Sequence, residues 1–260
     1  MRKLLLGDEA IAQAAIDSGL SGVYAYPGTP STEITEFIQL REEKRGDAQN
    51  PIFCRWATNE KTAMEGALGM SYMGKRALVC MKHVGVNVAA DPFVNSAMTG
   101  VNGGLVVVAA DDPSMHSSQN EQDSRFYGKF AMIPILEPSS QQEAYDMMPY
   151  AFELSESLKL PVLMRVVTRL AHSRAEIAVR EPLAQNALNP DNERTHWVLL
   201  PANARRQYAT LVEKQSLLLS SSEKSPYNKS EVKNQKSRMG VLACGIAYNY
   251  VMENEPQKLG

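Results

Sequence analysis

As far as about Thr168 the chain alternates between two textures. Short β-branched or apolar runs occur at Gly22–Tyr26, Ile52–Ala57, Arg76–Met81, Gly104–Ala110, Ile133–Leu136 and Pro161–Val167. Longer stretches between them carry apolar residues at helical spacing. Ile11, Ala14, Ala15 and Ser18 share one stripe of a helix predicted over Asp8–Ser18, with Gly19 or Gly22 close to its end. Ile34, Phe37, Ile38 and Arg41 line a second over Ser31–Arg41. A third is predicted over Asn59–Met73, and Gly74 follows it where a helix end favours glycine. The longest, Ser140–Leu158, contains Pro149, which predicts a kink or a split into two helices.

Strands such as Leu105–Ala110 are apolar on both faces rather than alternating, as strands read when helices cover both sides of a parallel sheet. The predicted fold class is therefore α/β, a doubly wound parallel sheet with helices on both faces. Ligands of such sheets sit beyond the carboxyl ends of the strands, in the loops that lead into helices. After Thr168 the texture changes. Residues 1–175 are expected to form the α/β domain, and 176–238 a polar linker region, partly helical or disordered, with Ser220–Ser237 its most solvated part. Met239–Tyr248 reads as a new strand, a glycine turn and the start of a helix, so 239–260 is expected to begin a further α/β domain.

Composition narrows the function classes. In 260 residues, 27 Lys+Arg oppose 29 Asp+Glu, a net charge of −2 that argues against a basic nucleic-acid face. The three cysteines, Cys54, Cys80 and Cys244, form no C-x-x-C pair, which argues against a disulfide framework, a zinc site or an iron–sulfur cluster held by these residues alone. Met1-Arg-Lys-Leu-Leu-Leu is interrupted by Asp8 and Glu9 before a signal-like apolar core forms, and Leu105–Ala110 is far short of a membrane span. A soluble, cytoplasmic globular protein is the expectation, without membrane or nucleic-acid partners.

Candidate chemistry lies in the strand-to-helix loops. Tyr26-Pro27-Gly28-Thr29-Pro30-Ser31-Thr32-Glu33 leaves the first strand, and Thr29 as N-cap with Pro30 at the first helical position accounts for it by capping alone. The same loop can equally present hydroxyls and free amides to a substrate's oxygens. Asn59-Glu60 has two readings as well. One is a cap followed by a solvated first-turn acid; the other is a carboxyl buried at the sheet's rim, where loss of solvent lets it hold or share a proton. Lys82-His83-Val84-Gly85-Val86-Asn87 and the polar segment Asp111–Arg125 follow the next two strands, and a polar loop of that length in a compact domain usually has a function. Gly69–Lys75 matches much of a phosphate-binding loop, but Arg76 replaces the hydroxyl residue and the order is helix to strand, so the match fails. Gly100–Gly104 reads as a turn. His83 and His116 stand singly, and no metal-ligand spacing emerges.

Four segments taken together resemble one family: Tyr26–Ile34, Asn59-Glu60, Met81–Pro92 and His116–Arg125. In this order they are similar to the α subunit of the indolepyruvate ferredoxin oxidoreductases, thiamine-diphosphate-dependent 2-oxoacid oxidoreductases. The likeness covers Gly7–Ser173 and resumes over Gly240–Val251. It implies the pyrimidine-binding domain of the thiamine-diphosphate fold. It also implies oxidative decarboxylation of an aryl pyruvate with coenzyme A to an aryl-acetyl-CoA, with electrons passing through iron–sulfur clusters to ferredoxin. Glu60 matches the glutamate that hydrogen-bonds N1′ of the aminopyrimidine and favours its imino tautomer, and is the expected catalytic residue. His83, Gly85 and Asn87 are expected beside the cofactor. Thr29, Ser31, Lys82, His116 and Arg125 are expected at the substrate, with Lys82 or Arg125 holding its carboxylate.

The resemblance also implies what lies elsewhere. Mg2+ and the diphosphate belong to a partner domain with a Gly-Asp-Gly…Asn motif, which Gly46-Asp47-Ala48 does not supply, and the cysteine-rich cluster region has no counterpart here. The chain is thus expected to be an N-terminal fragment with half an active site, binding no cofactor firmly alone and inactive alone. It is expected to work with a β subunit and as a dimer of this domain. Ser114 stands where the family pattern suggests glycine. Two alternatives stay open: pyruvate or another 2-oxoacid as substrate, and a non-catalytic dimerisation or binding module.

Overall fold

The structure, a computed structural model, describes residues 1–46, 49–230 and 240–254. Six strands form one parallel sheet: β2 (Gly22–Ala25), β3 (Phe53–Trp56), β4 (Ala77–Lys82), β5 (Leu105–Asp111), β6 (Ile135–Leu136) and β7 (Val162–Val167), in the order β3-β2-β4-β5-β7-β6. Each predicted run holds one of them. The doubly apolar character of the central strands has a direct cause. Leu78 and Cys80 of β4 and Val106, Val108 and Ala110 of β5 join the core on one face, while Val79, Met81, Leu105, Val107 and Ala109 join the core on the other. Alternate residues point to opposite faces of a strand, so both sets must be apolar when both faces are covered.

Helices α1 (Gly7–Asp17), α2 (Thr32–Arg45) and α7 (Gln141–Leu158) pack with the first core. Helices α3 (Glu60–Tyr72), α4 (His83–Val88), α5 (Ala90–Thr99) and α6 (Arg125–Ala131) lie with the second. Of these, α4, α5 and α6 were not predicted. A short α8 (Thr168–Ala171) follows β7, and α9 (Arg194–Trp197), α10 (Pro201–Glu223) and α11 (Ala247–Glu253) complete the order. A second sheet pairs β1 (Arg2–Leu6) with β8 (Arg174–Ala178), antiparallel, Leu4 opposite Glu176. No helix among the described residues is long and apolar enough to cross a membrane.

Three expectations are corrected. Of the kink or split expected at Pro149, the split does not occur: α7 runs as one helix with Pro149 inside it. Buried Tyr145, Met148 and Phe152 anchor the flanking turns in the core, and their packing outweighs the lost backbone bond. Helix α2 begins at Thr32 with Ser31 as N-cap, two residues beyond the expected Pro30, so Thr29 caps nothing. The Thr29–Pro30 peptide is cis. Finally, residues 240–246 form no strand: Leu242 lies fully exposed, and a turn with Gly245 at φ 54° leads into α11. Met239 and residues 255–260, the rest of that expected unit, lie outside the described residues, as do Asp47, Ala48 and residues 231–238. Within the region expected as linker, residues 201–223 are the continuous helix α10, seated on α5 through buried Leu211.

Candidate active site

The loops after β2, β3, β4 and β5 emerge along one rim of the sheet, at the carboxyl ends of adjacent parallel strands. Asn59 caps α3, its Oδ1 accepting from Thr62 N at 2.9 Å and from Thr62 Oγ1 at 3.1 Å. That cap fixes the first turn and turns Glu60 inward, 9% exposed. Its carboxylate makes no hydrogen bond among the described residues and lies against Gly85, where an added Cβ would come within 2.6 Å of Glu60 Oε1 and 2.7 Å of Cγ. Glycine at 85 therefore leaves this carboxylate room at the rim. Glu60 is thus turned toward the rim shared with Gly85, with its carboxylate oxygens unpaired by any described side chain.

Beside it, the Tyr26–Ser31 loop closes on itself: Gly28 N donates to Thr32 Oγ1 at 3.0 Å, and Ser31 Oγ donates to Gly28 O at 2.8 Å. Ser31 is buried by this arrangement and shapes the loop rather than facing outward. Thr29 is half-buried, and its hydroxyl makes no hydrogen bond among the described residues. Gly28 packs on the Lys82 stem, its absent Cβ 3.2 Å from Lys82 Cβ. Lys82, 9% exposed, donates from Nζ to Ser117 O at 2.5 Å. His83 is fully buried, with Nε2 3.1 Å from Asn120 O. A ring nitrogen facing a carbonyl donates to it, and the other ring nitrogen, Nδ1, is buried without a partner. Asn87 is exposed and accepts from the Tyr127 hydroxyl.

The carbonyls that Lys82 and His83 hold belong to the long loop after β5, which is clamped by residues the sequence did not single out. Asp112 accepts from Ser117 N (2.8 Å), Ser118 Oγ (2.5 Å) and Thr168 Oγ1 (2.7 Å). Burial by itself would raise its carboxyl, but these donors outweigh burial and hold it well below the usual carboxylate range. Asp111, wholly buried, accepts from Ser124 Oγ at 2.5 Å and from Arg165 Nε at 2.7 Å, and Arg165 Nη1 reaches Glu137 at 2.5 Å. Adjacent aspartates at the end of a strand were the available signal, but single-sequence spacing does not reveal partners about fifty positions away, such as Arg165 and Thr168.

Arg125 is not free to take a carboxylate. Its guanidinium makes bonds of 2.6–3.0 Å to Asp123 and lies 3.6 Å from Glu137, so the expected substrate cation is instead part of the loop's anchor. His116 lies exposed on the same loop. Ser114 has φ 68°, a left-handed conformation that explains why glycine suits the position. The described residues bring Glu60, Gly85, Lys82, His83 and the Thr29 loop to one rim. No group of cysteines accompanies them: Cys54 is half-buried in β3, Cys80 fully buried in β4 and Cys244 exposed. Burial pushes the Cys54 thiol up to about 11 and the Cys80 thiol further.

A parallel sheet with helices on both faces, and four loops meeting along one rim with Glu60 turned into it, defines the class: a doubly wound α/β domain, whose fold binds ligands at the strand ends. The family described as pyruvate flavodoxin/ferredoxin oxidoreductase, thiamine-diphosphate-binding, matches residues 13–236, and the chain belongs to it. Indolepyruvate oxidoreductase subunit IorA of Thermococcus kodakarensis is 42% identical over 258 residues, 97% of this chain and 39% of the relative. The subunit of the same name from Archaeoglobus fulgidus is 44% identical over 262 residues, 96% of this chain and 40% of the relative. The 2-oxoglutarate synthase subunit KorA of Methanothermobacter thermautotrophicus is 29% identical over 182 residues, 66% of this chain and 46% of the relative. A solved 2-oxoglutarate:ferredoxin oxidoreductase from Magnetococcus marinus shares the fold, with a TM-score of 0.69 and 19% identity, covering 100% of this chain and 52% of that one. The chain thus spans about two fifths of the length of its IorA relatives.

Proposed function

We propose that this chain supplies the pyrimidine side of a thiamine-diphosphate site in an enzyme that oxidatively decarboxylates aryl pyruvates, with indolepyruvate the preferred substrate. The supporting observation is Glu60: an inward-turned acid at the strand-end rim whose carboxylate has no hydrogen-bond partner among the described residues and packs against Gly85, where any side chain would displace it. Bound thiamine diphosphate supplies a nucleophilic carbon for the 2-oxo group and an electron sink as CO2 leaves. Glu60 would hold a proton between its carboxyl and the ring nitrogen it faces. His83, through its unpartnered Nδ1, Gly85 and Asn87 would line the cofactor. Lys82 spends one of its three N–H bonds on Ser117, and the remaining two would hold the substrate carboxylate. Thr29 would offer its free hydroxyl beside it, while Ser31 and Arg125 fix their loops. His116 would close the exposed side of the pocket.

The identity of the IorA relatives supports the choice of substrate. Their being named as subunits supports a second subunit as partner; coenzyme A would take the acyl group and ferredoxin the electrons, as the family description and the solved 2-oxoglutarate:ferredoxin oxidoreductase suggest. Among the described residues neither a diphosphate–Mg2+ motif nor a cysteine cluster is present, so Mg2+ and iron–sulfur clusters would be held by other parts of the enzyme. A cytoplasmic location and pairing of two copies of this domain complete the proposal. In the assembled oxidoreductase, Glu60→Gln is expected to lower CoA-dependent indolepyruvate oxidation by about 10²–10⁴-fold with unfolding midpoints unchanged. Activity within a few-fold of wild type would overturn the reading and leave a binding or dimerisation module. Pyruvate outcompeting indolepyruvate would overturn the substrate alone.

A further inference from the structure

Asp8 in the first turn of α1, Glu33 in the first turn of α2 and His172 at the end of α8 converge, with one ligating atom from each within 4.8 Å of the other two. Asp8 forms the floor. It is fully buried, and neither of its carboxylate oxygens has a hydrogen-bond partner. Glu33 Oε2 is also buried and unpartnered, while Glu33 Oε1 faces His172 Nε2 at 3.5 Å. The Glu33 and His172 side chains are 34% and 33% exposed, so the group opens to solvent on one side.

No lysine or arginine among the described residues pairs with Asp8. Burial, then Glu33, then Glu9 push its carboxyl well above the usual range. Two facing carboxyl groups, one of them dry and without any donor, are held together either by a proton or by a cation between them, and the open side toward Glu33 and His172 gives a cation access. Sequence spacing could not have revealed the group, because its members are 25 and 139 positions apart (33 − 8 and 172 − 33).

We propose that Asp8, Glu33 and His172 bind a divalent transition-metal ion, with Zn2+ preferred over Mg2+. One imidazole nitrogen with two carboxylates is a borderline donor set that suits Zn2+ or Mn2+, whereas Mg2+ favours oxygen and water ligands. Three protein ligands leave a fourth position for water. Tetrahedral bonds of about 2.0–2.1 Å place ligand atoms about 3.3 Å apart. The half-exposed Glu33 and His172 side chains can close that gap by rotating about their own bonds. A bound ion would tie the starts of α1 and α2 to the end of α8, bracing the Tyr26–Ser31 loop two residues from Glu33. The inference does not rest on the cofactor reading.

The test is a titration of the chelator-stripped chain with ZnCl2, and separately with MgCl2, followed by calorimetry and thermal unfolding. One Zn2+ per chain, with Kd on the order of 1 µM or tighter and a raised Tm, is the expected result, with Mg2+ far weaker. His172→Ala removes a surface ligand and should weaken Zn2+ binding by roughly 100-fold or more without lowering the metal-free Tm. Asp8→Asn should abolish the Zn2+-dependent rise in Tm and hold or raise the metal-free Tm. Absence of stoichiometric Zn2+ binding by wild type, or unchanged affinity in either variant, would overturn the site.

Discussion

At Gly85 the space a methyl group would take is already filled by Glu60, whose Oε1 would lie 2.6 Å from an added Cβ. Gly85→Ala should therefore displace the carboxylate, costing about 1–3 kcal/mol in urea unfolding and weakening thiamine-diphosphate binding in the assembled enzyme. An unchanged midpoint together with unchanged binding would show that Glu60 is not held where it is described. Ser114 carries the opposite error: a side chain where φ 68° favours none. Ser114→Gly should raise the unfolding free energy by about 0.5–1 kcal/mol, the relief of left-handed strain exceeding the entropy that glycine adds to the unfolded chain. Asn59 and Glu60 were legible because a cap and its following acid are adjacent in sequence. Ser31 was misread because its inward turn is set by Gly28, through a loop geometry that residue types alone do not encode.

At the scale of elements, the loop after β5 depends on two neighbouring aspartates. Because hydrogen bonds hold Asp112 below its unfolded value, its contribution to stability is complete above about pH 4 and is lost as pH falls further. Asp112→Asn should cost about 1.5–3 kcal/mol at pH 7, a difference from wild type that shrinks to nothing in strong acid. Urea midpoints measured from pH 7 down to strong acid test this, and a pH-independent difference would contradict it. Faster amide exchange at Ser117 should accompany the loss. The six parallel strands were legible because burial on both faces leaves unbroken apolar runs. Strands β1 and β8 were not, since they are partly exposed and their ladder joins residues far apart in the chain, from Arg2 with Ala178 to Leu6 with Arg174.

Among the described residues, two cores flank one sheet, and α10 adds to the second through buried Leu211 and partly buried Leu218. Leu211→Ala should cost about 2–4 kcal/mol and strip exchange protection from α10 while the amides of β4 and β5 stay protected. Uniform loss of protection would show instead that helix and sheet unfold as one unit. The polar texture of residues 181–238 allowed a partly helical reading but did not fix its bounds, because few residues of α10, Leu211 and Leu218 among them, face the core. At the two margins of the main sheet lie β3, four residues long with alternating exposed positions and Arg55 among them, and β6, only two residues long. Such stubby borders offer another polypeptide hardly any backbone to extend. Concentrated solutions of the native chain should accordingly resist fibre growth, and thioflavin fluorescence should stay flat until the sheet itself melts.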